Sequence, residues 1–163
     1  MKQDKFTEQA QEVMVTSQEL MRRYRHSQWD VEHIFLALLA NERGLASEIL
    51  RELKVDPEEV KRRGEAELSK TPKLGYEGAQ FYATPRVIRL MERAEQEAQR
   101  LKDEFIGVEH LLIDIAGEGQ GPSFEILKSL GVDQEKLYGV LQKIRGSQRV
   151  TDPRAESKYR ALE

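Results

Sequence analysis

The 163-residue sequence contains no cysteine, and this absence excludes several kinds of chemistry. Without thiols there is no disulfide, no cysteine nucleophile and no zinc site built from cysteine ligands. Long apolar stretches are also missing, since no run approaches the roughly 18 residues of a membrane span. The opening MKQDKFTEQA lacks the apolar region of a signal peptide. We therefore expect a cytoplasmic protein that does not bind membranes.

An excess of positive charge is absent as well. The chain has 26 Lys and Arg against 29 Asp and Glu, which gives a formal net charge of −3. Charges of both signs are interspersed, so no basic stripe is available to neutralise successive phosphates. Nucleic acid is therefore not an expected partner, while the 39% hydrophobic content fits a globular domain.

The common motifs of nucleotide binding and hydrolysis are missing too. The sequence has no GxxxxGK[ST] loop, no GxGxxG fingerprint and no GxSxG elbow. Its nearest glycine cluster, GEGQG at 117–121, lacks the lysine and hydroxyl residue that hold phosphates and is typical of a turn between helices. We expect no catalytic residue, metal or cofactor in this chain.

The clearest feature present is an internal duplication. The stretch VEHIFLALL at 31–39 returns as VEHLLIDIA at 108–116, and the same offset of 77 residues aligns 6–60 with 83–137 without a gap. Matched pairs include Thr7 with Thr84, Met14 with Met91, Arg23 with Arg100, Gly44 with Gly121, and Val55-Asp56 with Val132-Asp133. A single register held over this length indicates a true repeat. Below, residues 77 positions apart are called counterparts.

Each copy has the apolar spacing of amphipathic helices. Thr7 and Thr84 stand where a helix N-cap is expected, and Asp30 caps the apolar VEH helix, which should be buried. In the second copy Gly107 replaces that cap, and we expect Asp114 to give the helix a wetter face. The pattern predicts an all-α fold of about eight helices in two four-helix repeats that form one compact domain, with no strand.

The boundaries follow from where the helical period stops. We predict a first repeat at 1–68, a mobile linker at 69–81, a second repeat at 82–145 and a tether at 146–163. The linker SKTPKLGYEGAQF has two glycines, a proline and no period. The final SKYRALE begins a new helix-like pattern, which indicates a fragment of a longer chain.

The repeated Glu-His pair raises the alternatives of a metal or catalytic site and a structural role. Adjacent helical residues point about 100° apart, and the HExxH spacing that aligns two zinc ligands is absent. We therefore interpret His33 and His110 as structural. Glu32 and Glu109 lie in a first helical turn, where capping of the helix is the first interpretation and ligand binding the second.

The duplicated pattern FTEQAQEV or ATPRVIRLM, then VEH[IL] with an apolar run, then EIL..L.VD, resembles the Clp N-terminal domain of Clp/Hsp100 AAA+ chaperones over residues 6 to 145. The tail IRGSQRVTDPRAESKYRALE is similar to the exit of this domain in ClpB disaggregases. The resemblance implies a pseudo-twofold helical module, monomeric by itself, of a hexameric machine whose ATP and magnesium bind in modules missing here. A ClpC or ClpA type, which binds adaptors or phosphoarginine-marked substrates for degradation, is the alternative.

The resemblance also implies partners and a site. The partners would be unfolded or aggregated polypeptides, and adaptor proteins. An apolar groove is expected where the first helices meet the starts of the VEH helices. The candidate substrate-binding residues are Thr7, Glu32, Thr84, Leu90, Met91, Asp103, Phe105 and Glu109. In ClpC-type relatives the Glu positions hold a guanidinium and the Thr positions lie near a phosphate.

Overall fold

The computed structural model describes residues 5–75 and 81–160, and this part of the chain contains nine helices. The first repeat comprises α1 (Glu8–Arg23), α2 (Val31–Ala40), α3 (Leu45–Glu52) and α4 (Pro57–Lys70). The second comprises α5 (Pro85–Arg100), α6 (Val108–Ala116), α7 (Pro122–Ser129) and α8 (Gln134–Arg145), and α9 (Ala155–Arg160) follows. The predicted all-α class with two four-helix repeats is confirmed. None of these helices is both long and apolar enough to cross a membrane.

The central helices of the two repeats are α2 and α6. Every residue of α2 except its last is buried, and all nine residues of α6 are buried. Helix α2 packs against α1 and α4, α6 packs against α5, and the two also contact each other. Burial of a ring such as that of Phe35 stabilises the fold by about 2–3 kcal/mol. The expected central position of the VEH helices is therefore correct.

Asp114 on α6 contradicts the expectation of a wetter second copy. Its side chain is buried, with 5% of the residue exposed, because α6 is covered on all sides by its own repeat and by the first. A charged residue type in the sequence therefore did not indicate an exposed face.

The helix ends follow local chemistry. Thr7, Thr84, Asp30 and Asp56 are N-caps whose side chains each accept a backbone N–H in the first turn, and the caps at Thr7, Thr84 and Asp30 were predicted. After α7, Gly131 adopts a φ of +77°, which glycine tolerates without a Cβ clash.

The prediction of no strand was wrong, although the strands are short. Strand β1 (Gln28–Trp29) pairs in parallel with β2 (Tyr82–Ala83). A second parallel bridge joins Phe6 to Ile106 and is related to the first by the repeat offset. Two residues are too few to produce an alternating pattern, so the sequence carried no strand signal.

These bridges attach the start of each repeat to the other repeat. The Thr7 N–H donates to the Ile106 carbonyl at 3.0 Å, and the Thr84 N–H donates to the Trp29 carbonyl at the same distance. Each first helix is therefore positioned by the residues that precede the VEH helix of the other copy. This exchange places the two N-capping threonines at the starts of α6 and α2.

The segment 146–163, predicted as a tether, packs onto the second repeat as far as the structure describes it. Val150, Ala155 and Tyr159 are buried, and the Glu104 N–H donates to the Val150 carbonyl at 2.7 Å. That this segment leads toward a further module stays a prediction. Of the predicted linker, residues 69–70 continue α4, and residues 76–80 lie outside the described residues.

Candidate functional site at the junction of the repeats

His33 caps its own helix instead of binding a metal. Its Nδ1 accepts the Asp30 N–H at 2.9 Å, and its Nε2 lies 2.8 Å from Nδ1 of His26. Because Nδ1 is an acceptor, Nε2 carries the proton and donates to His26. Burial and the neighbouring His26 lower the His33 pKa to about 4. The imidazole is therefore neutral at physiological pH.

His110 repeats this arrangement with a different partner. Its Nδ1 accepts the Gly107 N–H at 2.7 Å, while its Nε2 lies 2.7 Å from Oδ2 of Asp103, the counterpart of His26. Burial lowers the His110 pKa, but the hydrogen bond to Asp103 and the nearby negative charge of Glu109 raise it above its usual value overall. Arg145 also binds the Asp103 carboxylate.

The structural interpretation of both histidines is confirmed, because every one of their ring nitrogens has a protein partner. In residues 5–75 and 81–160, no group of three or more His, Asp or Glu is arranged to hold a metal ion. The interpretation of Glu32 and Glu109 as caps of their own helices was wrong. The histidines do that work. Glu32 turns toward Arg86 and Ser123 of the second repeat, and Glu109 turns toward Arg145 of its own repeat and Tyr159 of α9.

Glu32 is the centre of a cross-repeat ion cluster. Arg86, at the start of α5, binds it through both terminal nitrogens at 2.8 and 3.0 Å and binds Glu118 at 2.6 and 2.8 Å. Ser123 donates its hydroxyl and its backbone N–H to Glu32 Oε2 at 3.0 and 3.3 Å. Burial opposes ionisation of Glu32, but Arg86 and Ser123 together lower its pKa. Hydrogen bonds to Glu118 and Glu32 raise the Arg86 pKa.

Asp30 links the starts of α2 and α5. Its Oδ1 accepts the Val31 N–H at 2.8 Å and the Thr84 hydroxyl at 2.8 Å. Thr84 uses its oxygen at the same time to accept the Val87 N–H at 3.3 Å. Thr84 and Glu32, both predicted site residues, are therefore brought together on this side of the junction, in a network satisfied by the chain itself.

The opposite side of the junction brings Thr7, Asp103 and Glu109 together. Glu109 Oε2 accepts the Tyr159 hydroxyl at 3.0 Å and lies 3.6 Å from Arg145. The Thr7 hydroxyl donates to Glu156, on α9, at 2.6 Å. Thr7 and Glu109 have no exposed surface, so in this conformation neither can contact a bound polypeptide directly.

The remaining candidates do not form a groove with these residues. Leu90 is fully buried in the core of the second repeat. Met91 and Phe105 are partly buried and pack against the edge of that core. The eight candidates are thus divided between two internal polar networks and the core, and their role in substrate binding stays a prediction.

An open cavity does lie at the junction, next to the predicted residues. It has a volume of about 260 Å³ and lies between α1, the end of α2, the start of α3 and Val108 of α6. We call it the junction cavity. Its lining residues are Gln9, Glu12, Val13, Thr16, Ala37, Leu38, Ala40, Asn41, Gly44, Leu45, Ala46 and Val108. None of the eight candidates lines it.

The second repeat has this site filled. Arg86 is the counterpart of Gln9, and its ion-pair partner Glu118 is the counterpart of Asn41. A Cβ built on Gly121, the counterpart of Gly44, would lie only 2.2 Å from the Arg86 guanidinium. A comparison of the two copies at these positions was therefore the sequence signal that could have found the cavity.

Comparison with known proteins agrees with this architecture. A family model described as the Clp repeat N-terminal domain matches residues 5–130. The chaperone protein ClpB 1 of Nostoc sp. is 37% identical over 160 residues, which are 98% of this chain but 18% of that protein.

Two solved structures share the fold. The Hsp104 N-terminal domain from Candida albicans has a TM-score of 0.80 at 18% identity, covering 93% of this chain and 98% of that one. A ClpV N-domain in complex with a VipB peptide has a TM-score of 0.70 at 13% identity, covering 91% of each chain. With its duplicated four-helix unit and the match over residues 5–130, the chain belongs to the Clp repeat N-terminal domain family.

Proposed function

We propose that this chain is the substrate-docking N-terminal domain of a cytoplasmic ClpB-type disaggregase and that it binds exposed apolar segments of unfolded or aggregated polypeptides. The similarity to a ClpB chaperone over 98% of the chain supports the ClpB type. Because the chain spans only 18% of that relative, a hexameric parent that binds ATP and magnesium in other modules is part of the proposal.

The junction cavity is the observation that carries the docking role. Its floor is apolar, with Val13, Leu38, Leu45 and Val108, and it opens to solvent between polar residues such as Glu12. A cavity of this kind accepts one apolar side chain at a time from an extended segment, while the polar rim tolerates many flanking sequences. This property suits a domain that must bind unrelated unfolded chains.

The complex of a ClpV N-domain with a VipB peptide adds support by analogy of fold. A domain with the same helical arrangement there carries a peptide ligand. For this chain we propose the same class of ligand, a polypeptide segment, and the junction cavity as its main contact.

The chain's own contacts disfavour the ClpC-type alternative of phosphoarginine binding. A ligand guanidinium would need a free carboxylate, but Glu32 is already bound through both oxygens by Arg86. Glu109 is buried and accepts the Tyr159 hydroxyl. We therefore expect isothermal titration with phosphoarginine to give no saturable heat. A saturable signal that disappears in Glu109→Ala would favour the alternative.

The test of docking is an NMR titration with a permanently unfolded model protein. The variant Thr16→Arg places a long side chain at the wall of the junction cavity, and its counterpart is already arginine, Arg93. We expect it to weaken binding at least about tenfold, the loss of one central contact. The control Val15→Arg adds the same charge on the same helix at a residue that is 54% exposed and does not line the cavity.

Both variants should keep the wild-type urea midpoint, since both positions accept a solvated side chain. The docking assignment fails if the chemical shift changes of the wild type do not cluster on α1 and the start of α3. It also fails if Val15→Arg weakens binding as much as Thr16→Arg.

A further inference from the structure

The starts of α2 and α6 are capped by carboxylates that come from different places in the chain. At α2, Asp30 immediately precedes the helix and accepts the Val31 N–H and the Thr84 hydroxyl, each at 2.8 Å. At α6 the corresponding residue is Gly107, which has no side chain to offer. The duplication therefore left the second copy without its capping carboxylate.

Glu156 of α9 supplies the missing carboxylate. Its Oε2 accepts the Val108 N–H at 3.1 Å and the Thr7 hydroxyl at 2.6 Å, and these two donors are the counterparts of Val31 and Thr84. One oxygen of a residue 48 positions along the chain thus reproduces both hydrogen bonds of Asp30. The match identifies Glu156 as a substitute cap and not as an incidental contact.

The segment around Glu156 is attached to the domain by hydrogen bonds at a few points and by three buried apolar side chains. The Val150 N–H donates to Asp103 at 2.8 Å, the Tyr159 hydroxyl donates to Glu109 at 3.0 Å, and the Glu8 N–H donates to the Pro153 carbonyl at 2.8 Å. Only Val150, Ala155 and Tyr159 add buried apolar surface.

The docked arrangement also carries an electrostatic cost. Glu109 and Glu156 are both buried, and the Oε1 atom of each has no hydrogen-bond partner among the residues that the structure describes. Arg145 is the guanidinium within reach of Glu109, at 3.6 Å, and it is shared with Asp103. Docking thus brings the Glu156 carboxylate beside a buried Glu109 whose cation is already shared with Asp103, and the repulsion between two buried carboxylates opposes docking.

We propose that residues 150–160 form a detachable latch, in which Glu156 caps α6 from a distance and whose release uncovers the Thr7 and Glu109 end of the repeat junction. When docked, Glu156 and Ser157 form part of the wall of a cavity of about 190 Å³ that adjoins the junction cavity through Gln9 and Leu45. Release removes this wall and extends the junction cavity toward Glu109. The latch thereby sets how far the junction cavity extends toward Glu109.

Docking of the latch is coupled to protonation of the Glu156 carboxylate. Burial and the neighbouring Glu109 raise the pKa of Glu156 from 4.5 to about 7, although Thr7 and the Val108 N–H partly offset this. The other titratable or charged groups around this site are Glu109 and His110 from α6, Asp103 from the loop before α6, Arg145 from α8, Tyr159 from α9, and Arg43 and Glu48, which line the same cavity from the first repeat. Because the docked pKa is the higher one, docking is strongest below pH 4.5 and weakens as the pH rises to about 7.

The test is amide hydrogen exchange by NMR on the whole chain without any substrate, so its outcome is separate from that of the docking proposal. In the wild type, after correction for intrinsic exchange, protection of the Val150 amide should fall by up to about tenfold per pH unit between pH 4.5 and about 7. The isosteric Glu156→Gln keeps an acceptor oxygen but cannot ionise. Its latch should stay docked, with protection independent of pH in this range.

Two further variants separate detachment from unfolding. Glu156→Ala should abolish protection across residues 150–160 while α2, α3 and α4 keep theirs. Adding Gly107→Asp should restore the urea midpoint, because the new carboxylate caps α6 as Asp30 caps α2, while residues 150–160 remain unprotected. The Gly107 φ of −102° suits any residue, and the new Cβ requires only that the tip of Glu109 turn away.

Three results would overturn the latch. Residues 150–160 could stay protected in Glu156→Ala, or Gly107→Asp could fail to restore the midpoint of that variant. The third is an equal pH dependence of Val150 protection in the wild type and in Glu156→Gln, since the proton would then belong to another group.

Discussion

Replacing Asp114 by alanine should stabilise the protein, and the gain should depend on pH. Asp114 is 5% exposed on the central helix α6, and its Oδ2 is buried without a hydrogen-bond partner among the described residues. Burial and the negative charge of Glu97 raise its pKa from 3.8 to about 7, although Arg93 and His110 pull in the other direction. Its counterpart in the first repeat is Ala37, so the fold already accepts alanine there.

The magnitude follows from the two pKa values. The folded protein binds the Asp114 proton more tightly than the unfolded chain, so ionisation costs nothing below pH 3.8 and costs progressively more up to about pH 7. At about 1.36 kcal/mol per pH unit, the upper limit of this cost is about 4 kcal/mol. Side-chain relaxation and the small void left by alanine reduce it, and we expect Asp114→Ala to gain about 1–3 kcal/mol at pH 8 relative to pH 4.

The assay is urea unfolding of the wild type and Asp114→Ala at several pH values between 4 and 8. Contributions of titrating groups that do not interact with Asp114 cancel in the difference between the two proteins, which leaves the ionisation of Asp114 and its coupling to Glu97 and His110. Asp114→Asn serves as a control that removes the charge but keeps the volume, and it should show the same pH trend with a smaller gain. A difference in unfolding free energy that is flat from pH 4 to 8 would refute the reasoning.

Three further predictions concern positions at which the two repeats carry different residues. Arg86→Ala should lower the unfolding free energy by about 3–5 kcal/mol in urea titrations, because it leaves Glu32 buried without its cation. His26→Asp gives His33 the carboxylate partner that His110 already has, so NMR titration should find the His33 pKa raised from about 4 to above 6.5. Lys54→Gly should stabilise the protein by about 1 kcal/mol in thermal unfolding, because Lys54 has a φ of +61°.

Each of these has an internal control. Arg89→Ala removes an exposed arginine from the same helix and should change stability by less than about 0.5 kcal/mol. An equal loss there would mean that the ion cluster is not the cause. The His110 resonances in the same spectra provide the reference for His26→Asp. Gly131→Ala, at the counterpart of Lys54, should lose what Lys54→Gly gains, and a neutral result for both would exclude strain at this turn.

The sequence was sufficient for what depends on local spacing. The repeat, the helices and the caps at Thr7, Asp30 and Thr84 follow from periodicity and from hydrogen bonds that close within one helical turn. The positions of Glu32 and Glu109 did not follow, because a carboxylate in a first turn can either cap its helix or turn away. Which of these occurs depends on a partner 54 residues away for Glu32, and no periodic pattern encodes such a distance.

The same limit explains why the structure does not bring the eight candidate residues together in one groove. The candidates Thr7, Thr84, Glu32 and Glu109 are common to both repeats, and residues common to both copies are those that build the shared junction. Their hydrogen bonds and ion pairs within the chain bury these side chains. The junction cavity instead exists because the copies differ. For example, Gln9 lines the cavity in the first repeat, and its counterpart in the second repeat is Arg86.

Differences between the copies therefore carry the functional information in this fold. In the second repeat the guanidinium of Arg86 neutralises Glu32 and fills the space that stays open in the first. At α6 the loss of a capping aspartate, at Gly107, is compensated by Glu156 of the latch. One repeat thus keeps an open cavity, while the other is closed by a permanent ion pair and bordered by a segment whose docking depends on a proton. A duplicated domain needs only one open copy to bind a chain, and the second copy is then free to control access to it.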